Sequence, residues 1–149
     1  MTASILKPWD RRTVNAYALT AGAGIVEALV RAKQRGVDVR LIADRTTPCE
    51  RGSGLDPLAR AGVPIWIDRA VRIAHSKAAT IDRKVVLTGS MNGAAQNSEN
   101  VALISSEAVA AAYTAHWQNR LVASVPFVRR EDWCRSPDVA GLKSESPPR

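Results

Sequence analysis

The sequence contains few of the residues that form metal centres and disulfide frameworks. Its 149 residues include only two cysteines and two histidines. Cys49 and Cys134 stand far apart and lack the short spacing of metal ligands. We therefore expect no zinc site, no cofactor and no disulfide framework.

Long apolar runs are also missing. No stretch is long and apolar enough to span a bilayer, and residues 1–12 lack the apolar core of a signal peptide. The sequence as given therefore predicts a cytoplasmic protein. An exported protein is the alternative if a leader precedes the given sequence.

Acidic residues are scarce relative to basic ones. The chain has 14 Asp and Glu against 21 Lys and Arg, so its formal net charge is +7, and its pI is about 10.1. This balance favours a polyanionic partner, either nucleic acid or an anionic membrane surface, although it also fits a basic protein that is merely soluble. With 46% hydrophobic residues, the length predicts one globular domain with its own core.

Hydrophobic periodicity predicts alternating strands and helices. Expected strands cover residues 13–19, 37–43, 63–67, 73–81, 85–88 and 101–104, and expected helices cover 25–35, 55–61 and 107–122. The leading β-α-β-α-β order predicts a largely parallel sheet, and a hairpin of the strands at 73–81 and 85–88 adds antiparallel pairing. The predicted fold class is α/β, with a mixed, mostly parallel sheet and helices on both faces.

The two ends of the chain differ from its middle. Residues 1–12 give no clear element, and the tail from about residue 136 is rich in Ser, Pro and charge, which predicts disorder. We therefore expect an unstructured or replacement N-terminus at 1–12, a folded domain at 13–123 and a C-terminal extension at 124–149.

Reactive side chains are concentrated between residues 75 and 92. His75 and Lys77 stand two apart on a predicted strand, so they are expected to project from the same face. Asp82 opens a predicted tight turn between this strand and the next.

The second of these strands ends at Gly89, where the chain can turn sharply, and Ser90 and Asn92 follow on a loop. An imidazole, an ammonium, a hydroxyl and a carboxamide are thus expected to converge. Lysine supplies charge for phosphate oxygens, serine and asparagine supply neutral donors, and histidine acts as nucleophile, base or acid near neutral pH. The set therefore suits an anionic phosphodiester.

The spacing of these residues resembles the His-x-Lys motif of the phospholipase D superfamily. In that family the motif is followed by Asp after four residues, and six residues later by Gly-Ser and a nearby Asn. The matching positions are His75, Lys77, Asp82, Gly89, Ser90 and Asn92. A lone histidine on a strand is usually structural, but agreement at six spaced positions favours the functional interpretation.

Two further segments, 97–100 and 116–120, make the chain similar to the small single-motif bacterial nucleases of the superfamily. The resemblance identifies residues 13–123 as a phospholipase D-like catalytic domain. Domains of the family usually begin with a strand and a helix before the segment that matches 15–20, and about a dozen residues precede that segment here. The resemblance therefore implies a fold that lacks the family's first strand and helix.

The resemblance also implies a metal-independent reaction at a site that needs two His-x-Lys motifs. One histidine attacks phosphorus and becomes phosphohistidine, while the other protonates the leaving oxygen and then activates water. Because this chain has one such motif, we expect a twofold homodimer that places His75 beside its symmetry mate.

Roles for individual residues follow from the same resemblance. Glu99 is expected to hold the histidine by its other ring nitrogen, and Asp82 to brace its loop rather than touch substrate. His116, on the last predicted helix, is expected to be structural. The expected catalytic residues are His75, Lys77, Asp82 and Glu99, and the expected phosphate-binding residues are Lys77, Ser90 and Asn92.

Three functional hypotheses remain open at this point. The first is a metal-independent nuclease, which the basic charge supports. The second is a phospholipase D that acts on membrane phospholipid head groups, since the same chemistry serves both substrates. The third is a truncated, inactive relative that binds nucleic acid through its basic surface.

Overall fold

The computed structural model describes residues 13–17, 24–90, 98–128 and 130–135 of the chain. Within these residues lie seven strands, four α-helices and one short 3-10 helix. The strands are β1 (Thr13–Tyr17), β2 (Asp38–Asp44), β3 (Ile65–Asp68), β4 (Lys77–Ile81), β5 (Val85–Gly89), β6 (Val101–Ser105) and β7 (Ser124–Pro126). The helices are α1 (Ile25–Gln34), α2 (Leu55–Arg60), α3 (Glu107–Val122) and α4 (Arg130–Cys134), and the 3-10 helix is Thr47–Cys49.

All seven strands form one sheet, in the order β6-β5-β4-β1-β2-β3-β7. The predicted α/β class and the mixed sheet are confirmed. The parallel part is smaller than expected, because only the β1–β2 and β2–β3 pairs are parallel among the six described pairings. The β4–β5 hairpin, β6 and β7 extend this parallel centre on both sides with antiparallel strands.

Helices cover both faces of the sheet, as the sequence predicts. Leu41 packs in the cluster formed with α1 and α2, while its neighbour Ile42 packs with Trp117 of α3. Successive residues of a strand point to opposite faces, so these two contacts assign the helices to opposite sides. Alternation along β2 thus divides the apolar core into two layers.

Helix α3 has the bounds that the sequence predicts. The Ser106 hydroxyl accepts a hydrogen bond from the Val109 backbone N–H at 3.3 Å, and this cap satisfies one of the free donors at the helix start. Trp117 is buried against the sheet. No helix in the described part of the chain is long and apolar enough to cross a membrane.

The strand that carries the motif begins later than predicted. Its first residue is Lys77 rather than residue 73, so His75 lies in the segment before β4. The backbone N–H of Ala74 donates to the buried carboxylate of Asp44 instead of to a strand neighbour. The expectation that His75 and Lys77 share one face of a strand is therefore wrong.

The predicted turn between β4 and β5 is confirmed. Asp82 and Arg83 have φ angles of 52° and 56°, and the Lys84 N–H donates to the Ile81 carbonyl at 3.0 Å. Positive φ at both central residues is typical of the tight turns that match the twist of a hairpin. The turn fixes the register of β4 on β5, which pairs Lys77 with Gly89.

The sequence predicts no disulfide framework, but the structure has one disulfide bond. Cys49 and Cys134 are bonded across a sequence separation of 85 residues. Helix α4 returns to the 3-10 helix, and the Trp133 indole N–H donates to the Arg45 carbonyl at 3.0 Å. Spacing along the chain gives no sign of this pairing, since only the folded path brings the two segments together. The sheet also continues past residue 123, the predicted end of the catalytic domain, because β7 pairs with β3.

Replacing both cysteines by serine is expected to lower the free energy of unfolding by about 2–4 kcal/mol, because the cross-link restricts the unfolded chain. Chemical denaturation of the wild-type and double-serine proteins, each with and without reductant, measures the effect. Reductant should destabilise the wild-type protein and leave the double-serine variant unchanged. Equal stability in all four samples would contradict the bond.

Candidate active site

A cavity of about 420 Å³ opens beside the motif. It lies between the start of β4, the end of β5, the end of β1 and the middle of α3. Polar or aromatic residues of its wall come from all of these elements, and β5 contributes Thr88 beside Gly89. Among the lining residues are Tyr17, His75, Lys77, Gly89, Tyr113 and His116.

The two motif residues meet at this cavity in different surroundings. His75 is exposed, whereas Lys77 is only 8% exposed. The Lys77 ammonium donates to the His75 carbonyl oxygen at 2.7 Å, and the Thr88 hydroxyl donates to the Lys77 carbonyl at 3.0 Å. The imidazole of His75 is thus accessible at the rim of the cavity, and the buried ammonium of Lys77 lies against the His75 carbonyl.

The buried ammonium is electrostatically compensated from three segments. Burial lowers the pKa of Lys77 from its ordinary value, and the carboxylates of Asp44, Glu50 and Glu99 oppose that shift, Asp44 most strongly. Nearby negative charge favours the protonated form, and desolvation disfavours it. The arrangement places a compensated positive charge at the wall of the cavity.

The end of β5 is built around a close backbone contact. A Cβ atom added at Gly89 would stand 2.1 Å from the Asn100 carbonyl oxygen, so only glycine fits there. The Ser90 N–H donates to the same carbonyl at 3.1 Å, and the Ser90 hydroxyl accepts from the Asn100 N–H at 3.0 Å. Ser90 thereby fastens the strand end next to the cavity, while Asn92 lies outside the described residues.

Two predicted catalytic residues do not line the cavity. Asp82 occupies the turn at the far end of β4 from Lys77, roughly 15 Å away at the rise of a strand. This position separates it from the cavity and suits the bracing role expected for its turn. Glu99 is half-buried just before β6, and its charge acts on Lys77.

Helix α3 contributes a wall of the cavity that the motif did not indicate. His116, expected to be structural, is exposed and lines the cavity, with its ring edge-on to Tyr17 at 5.7 Å between centroids. Arg120, one turn further along α3, donates to both oxygens of the fully buried Asp68 at 2.7 and 2.6 Å. The spacing of four between His116 and Arg120 was the available signal, because it places both on one helix face.

Tyr17 connects that ion pair to the cavity. Its hydroxyl donates to Asp68 at 2.9 Å. Burial, and then the hydrogen bond to Asp68 and the charge of Asp68, raise the pKa of Tyr17 to about 12. The phenol is therefore neutral at physiological pH and holds a fixed orientation in the cavity wall.

Comparison with known proteins finds similarity over most of the chain. The family profile described as "Cardiolipin synthase, PLD-like domain" matches residues 5–121. A phospholipase D of Rickettsia felis is 40% identical over 118 residues, which cover 74% of this chain and 59% of that protein. A mitochondrial cardiolipin hydrolase of Xenopus tropicalis is 34% identical over 111 residues, which cover 69% of this chain and 53% of that protein. The chain thus spans little more than half the length of these relatives.

Solved structures share the fold. Nuc from Salmonella typhimurium, described as a phospholipase D family member, superposes with a TM-score of 0.68 at 31% identity and covers 77% of this chain and 81% of that one. NucT from Helicobacter pylori gives a TM-score of 0.69 at 19% identity, with 77% and 82% coverage. The second similarity concerns the fold alone.

The raised pKa of Tyr17 predicts a loss of stability at high pH. The folded phenol keeps its proton up to about 12, whereas an unfolded tyrosine ionises near 10. The stabilisation from neutral Tyr17 is thus fully present below pH 10 and is lost as the pH rises from 10 through 12.

Absorbance titration of the Tyr113→Phe variant measures this, since Tyr17 is then the only tyrosine. Adding Asp68→Asn should lower the titration midpoint, but not fully to 10, because burial persists. A midpoint near 10 in the folded Tyr113→Phe protein would contradict the buried hydrogen bond.

Proposed function

Because the chain belongs to the phospholipase D superfamily, we propose that it hydrolyses phosphodiester bonds without a metal ion, and that its substrate is nucleic acid. The observation that carries this proposal is the pairing of an exposed imidazole, His75, with a buried ammonium, Lys77, at one cavity. An accessible nucleophile beside a fixed positive charge is what attack on an anionic phosphorus centre requires.

In the proposed reaction, a ring nitrogen of His75 bonds to phosphorus while the bond from phosphorus to the leaving oxygen breaks. A second, protonated imidazole gives its proton to that oxygen. Water, deprotonated by the same second imidazole, then attacks phosphorus and breaks the phosphorus–nitrogen bond, which restores both histidines. Lys77 stabilises charge on the non-bridging oxygens in both steps.

Nucleic acid is the favoured substrate for two reasons. The net charge of +7 attracts a polyanion. The similarity to Nuc covers most of both chains at 31% identity. The charge also fits an anionic membrane surface, so the similarity to Nuc is the reason that favours nucleic acid over phospholipid.

A phospholipid substrate is the second candidate, and a specific observation supports it. Ile73, two residues before His75, is exposed, and so are Val101 and Leu103 on the strand next to β5. Exposed apolar side chains beside a site can enter a membrane interface. The relatives named phospholipase D and cardiolipin hydrolase agree with this candidate.

We further propose that the active unit is a homodimer. Each chain has one His-x-Lys motif, and the exposed position of His75 leaves it accessible to a symmetry-related copy. Two imidazoles and two ammonium groups in one site oppose double protonation, so one histidine can remain neutral while the other is an acid.

The compartment also remains a proposal. The sequence alone favours the cytoplasm, with export as the alternative. The bond between Cys49 and Cys134 supports export, because cytosolic thiols are usually kept reduced. We therefore propose that the domain functions in an oxidising compartment.

His75→Ala protein is expected to lose about a thousand-fold or more of the cleavage rate, because it lacks the nucleophile. The assay follows cleavage of DNA and RNA in EDTA, with release of head groups from phospholipid vesicles measured in parallel. Lys84→Ala is the control, since it removes an exposed lysine at the other end of the hairpin. Full activity of His75→Ala would refute the assignment, and salt-sensitive binding by wild-type protein without turnover would favour the inactive-relative hypothesis.

Mixing wild-type and His75→Ala chains tests the shared site. If each site needs both copies of His75, an equal mixture with subunit exchange retains about one quarter of the wild-type rate. Independent sites would instead retain about half of the wild-type rate. The proposed dimer also predicts a solution mass that corresponds to two chains. A linear dependence on the wild-type fraction, or full activity of a monomer, would contradict the dimer.

A further inference from the structure

Asp44 ends β2 at the edge of the sheet where the cavity lies, and it is only 6% exposed. One carboxylate oxygen accepts the Thr46 N–H at 2.9 Å and the Thr46 hydroxyl at 2.7 Å. The other accepts the backbone N–H of Ala74. A single buried side chain therefore joins the loop after β2 to the segment that precedes β4.

The bond to Ala74 fixes the residue next to His75. Ala74 is itself buried, in the apolar cluster with Ile42 and Trp117, whereas His75 is exposed. On the other side, the His75 carbonyl accepts the Lys77 ammonium at 2.7 Å. The backbone of His75 is thus held from both directions while its imidazole projects from the rim.

Asp44 also acts on the charge beneath the imidazole. Among the carboxylates that favour protonated Lys77 it has the largest effect, ahead of Glu50 and Glu99. The other titratable groups at the cavity are His75 in the segment before β4, Tyr17 at the end of β1, and Tyr113 and His116 on α3. Asp44 is therefore the main anionic counterpart of the ammonium.

A neighbouring carboxylate shows what distinguishes Asp44. Asp68 is its register partner at the end of β3 and is equally buried. Two hydrogen bonds from Arg120 take up the charge of Asp68 and attach α3 to the sheet. Asp44 instead binds the backbone of the motif segment, so the two aspartates support different walls of the cavity.

We propose that Asp44 is a positioning residue of the active site, which holds the His75 segment through the Ala74 backbone and places a negative charge near the ammonium of Lys77. The part of this inference that concerns turnover rests on the proposed phosphodiesterase function. The part that concerns the ammonium does not, and it can be tested in protein without activity.

Two variants distinguish the hydrogen bond that Asp44 accepts from Ala74 from the charge that it places near Lys77. Asp44→Asn keeps an oxygen that can accept the Ala74 N–H but removes the charge, whereas Asp44→Ala removes both. Ala should lower kcat/KM about 100-fold, because misplacing a catalytic group by about 1 Å costs a factor of this size, and Asn only about 10-fold because it keeps the acceptor. Partial retention by Asn relative to Ala is the expected signature of the hydrogen bond.

The pH dependence of kcat/KM reports the effect of the Asp44 charge on Lys77. Asp44 raises the pKa of Lys77, so without its charge the ammonium loses its proton at a lower pH. The basic limb of kcat/KM should move to lower pH in both variants. A merely structural role would reduce the rate without moving this limb.

Two aspartates provide matched controls. Asp38→Asn changes the other end of β2, where the carboxylate pairs with Arg40, and should preserve rate and profile. Asp68→Asn removes an equally buried carboxylate and should destabilise the fold, but it leaves the basic limb where it is. Thermal melts of all variants separate lost stability from lost positioning.

Titration of the Lys77 side-chain carbon resonance by NMR gives a readout that needs no substrate. Asp44→Asn is expected to lower the observed pKa of Lys77 in folded protein, while Asp38→Asn leaves it unchanged. If wild-type protein has no turnover, this shift still tests Asp44 while the proposed function fails. An unchanged Lys77 titration together with wild-type kinetics in Asp44→Asn would overturn the inference.

Discussion

Two buried carboxylates, side by side at the ends of β2 and β3, hold the walls of the cavity together. Asp68 binds Arg120 and Tyr17, and through Arg120 it anchors α3 to the sheet. Asp44 binds the backbone of Ala74 and so fixes the segment that carries His75. Hydrogen bonds within secondary structure do not fix the position of either wall. One wall is a face of α3, and the other is the segment before β4. The site therefore depends on side-chain acceptors at the edge of the parallel strands.

Burying charge in this way is costly unless each charge is matched. The Asp68–Arg120 pair has two short hydrogen bonds, and Tyr17 contributes a third from a phenol that stays neutral. Lys77 is buried with less direct pairing: its hydrogen bond goes to a carbonyl, and its compensation comes from carboxylates on three segments. The pKa of Lys77 therefore depends on the positions of the three segments that carry these carboxylates. Perturbed pKa values of this kind cluster at functional sites.

Local pattern in the sequence predicted much of the fold. The apolar stripe and the Ser106 cap predicted α3 at its observed bounds, and the Asp82 turn predicted the β4–β5 hairpin. The start of β4 was misplaced because β-branched residues at 73 and 80–81 suggested one continuous strand. In the structure the Ala74 N–H donates to the carboxylate of Asp44, thirty residues earlier, rather than to a neighbouring strand. A long-range acceptor of this kind has no local signature, and the same holds for the bond between Cys49 and Cys134.

The sequence by itself determined the reactive set, because the spacing of His75, Lys77, Gly89 and Ser90 is a local property of one hairpin and its flanks. It also determined the family and the α/β arrangement with helices on both faces of a sheet, which follow from motif and periodicity. Only the tertiary structure decided that His75 is exposed while Lys77 is buried, and that His116 faces the same cavity. The reason is physical: exposure and electrostatic compensation depend on which distant segments pack together, and no spacing along the chain specifies that.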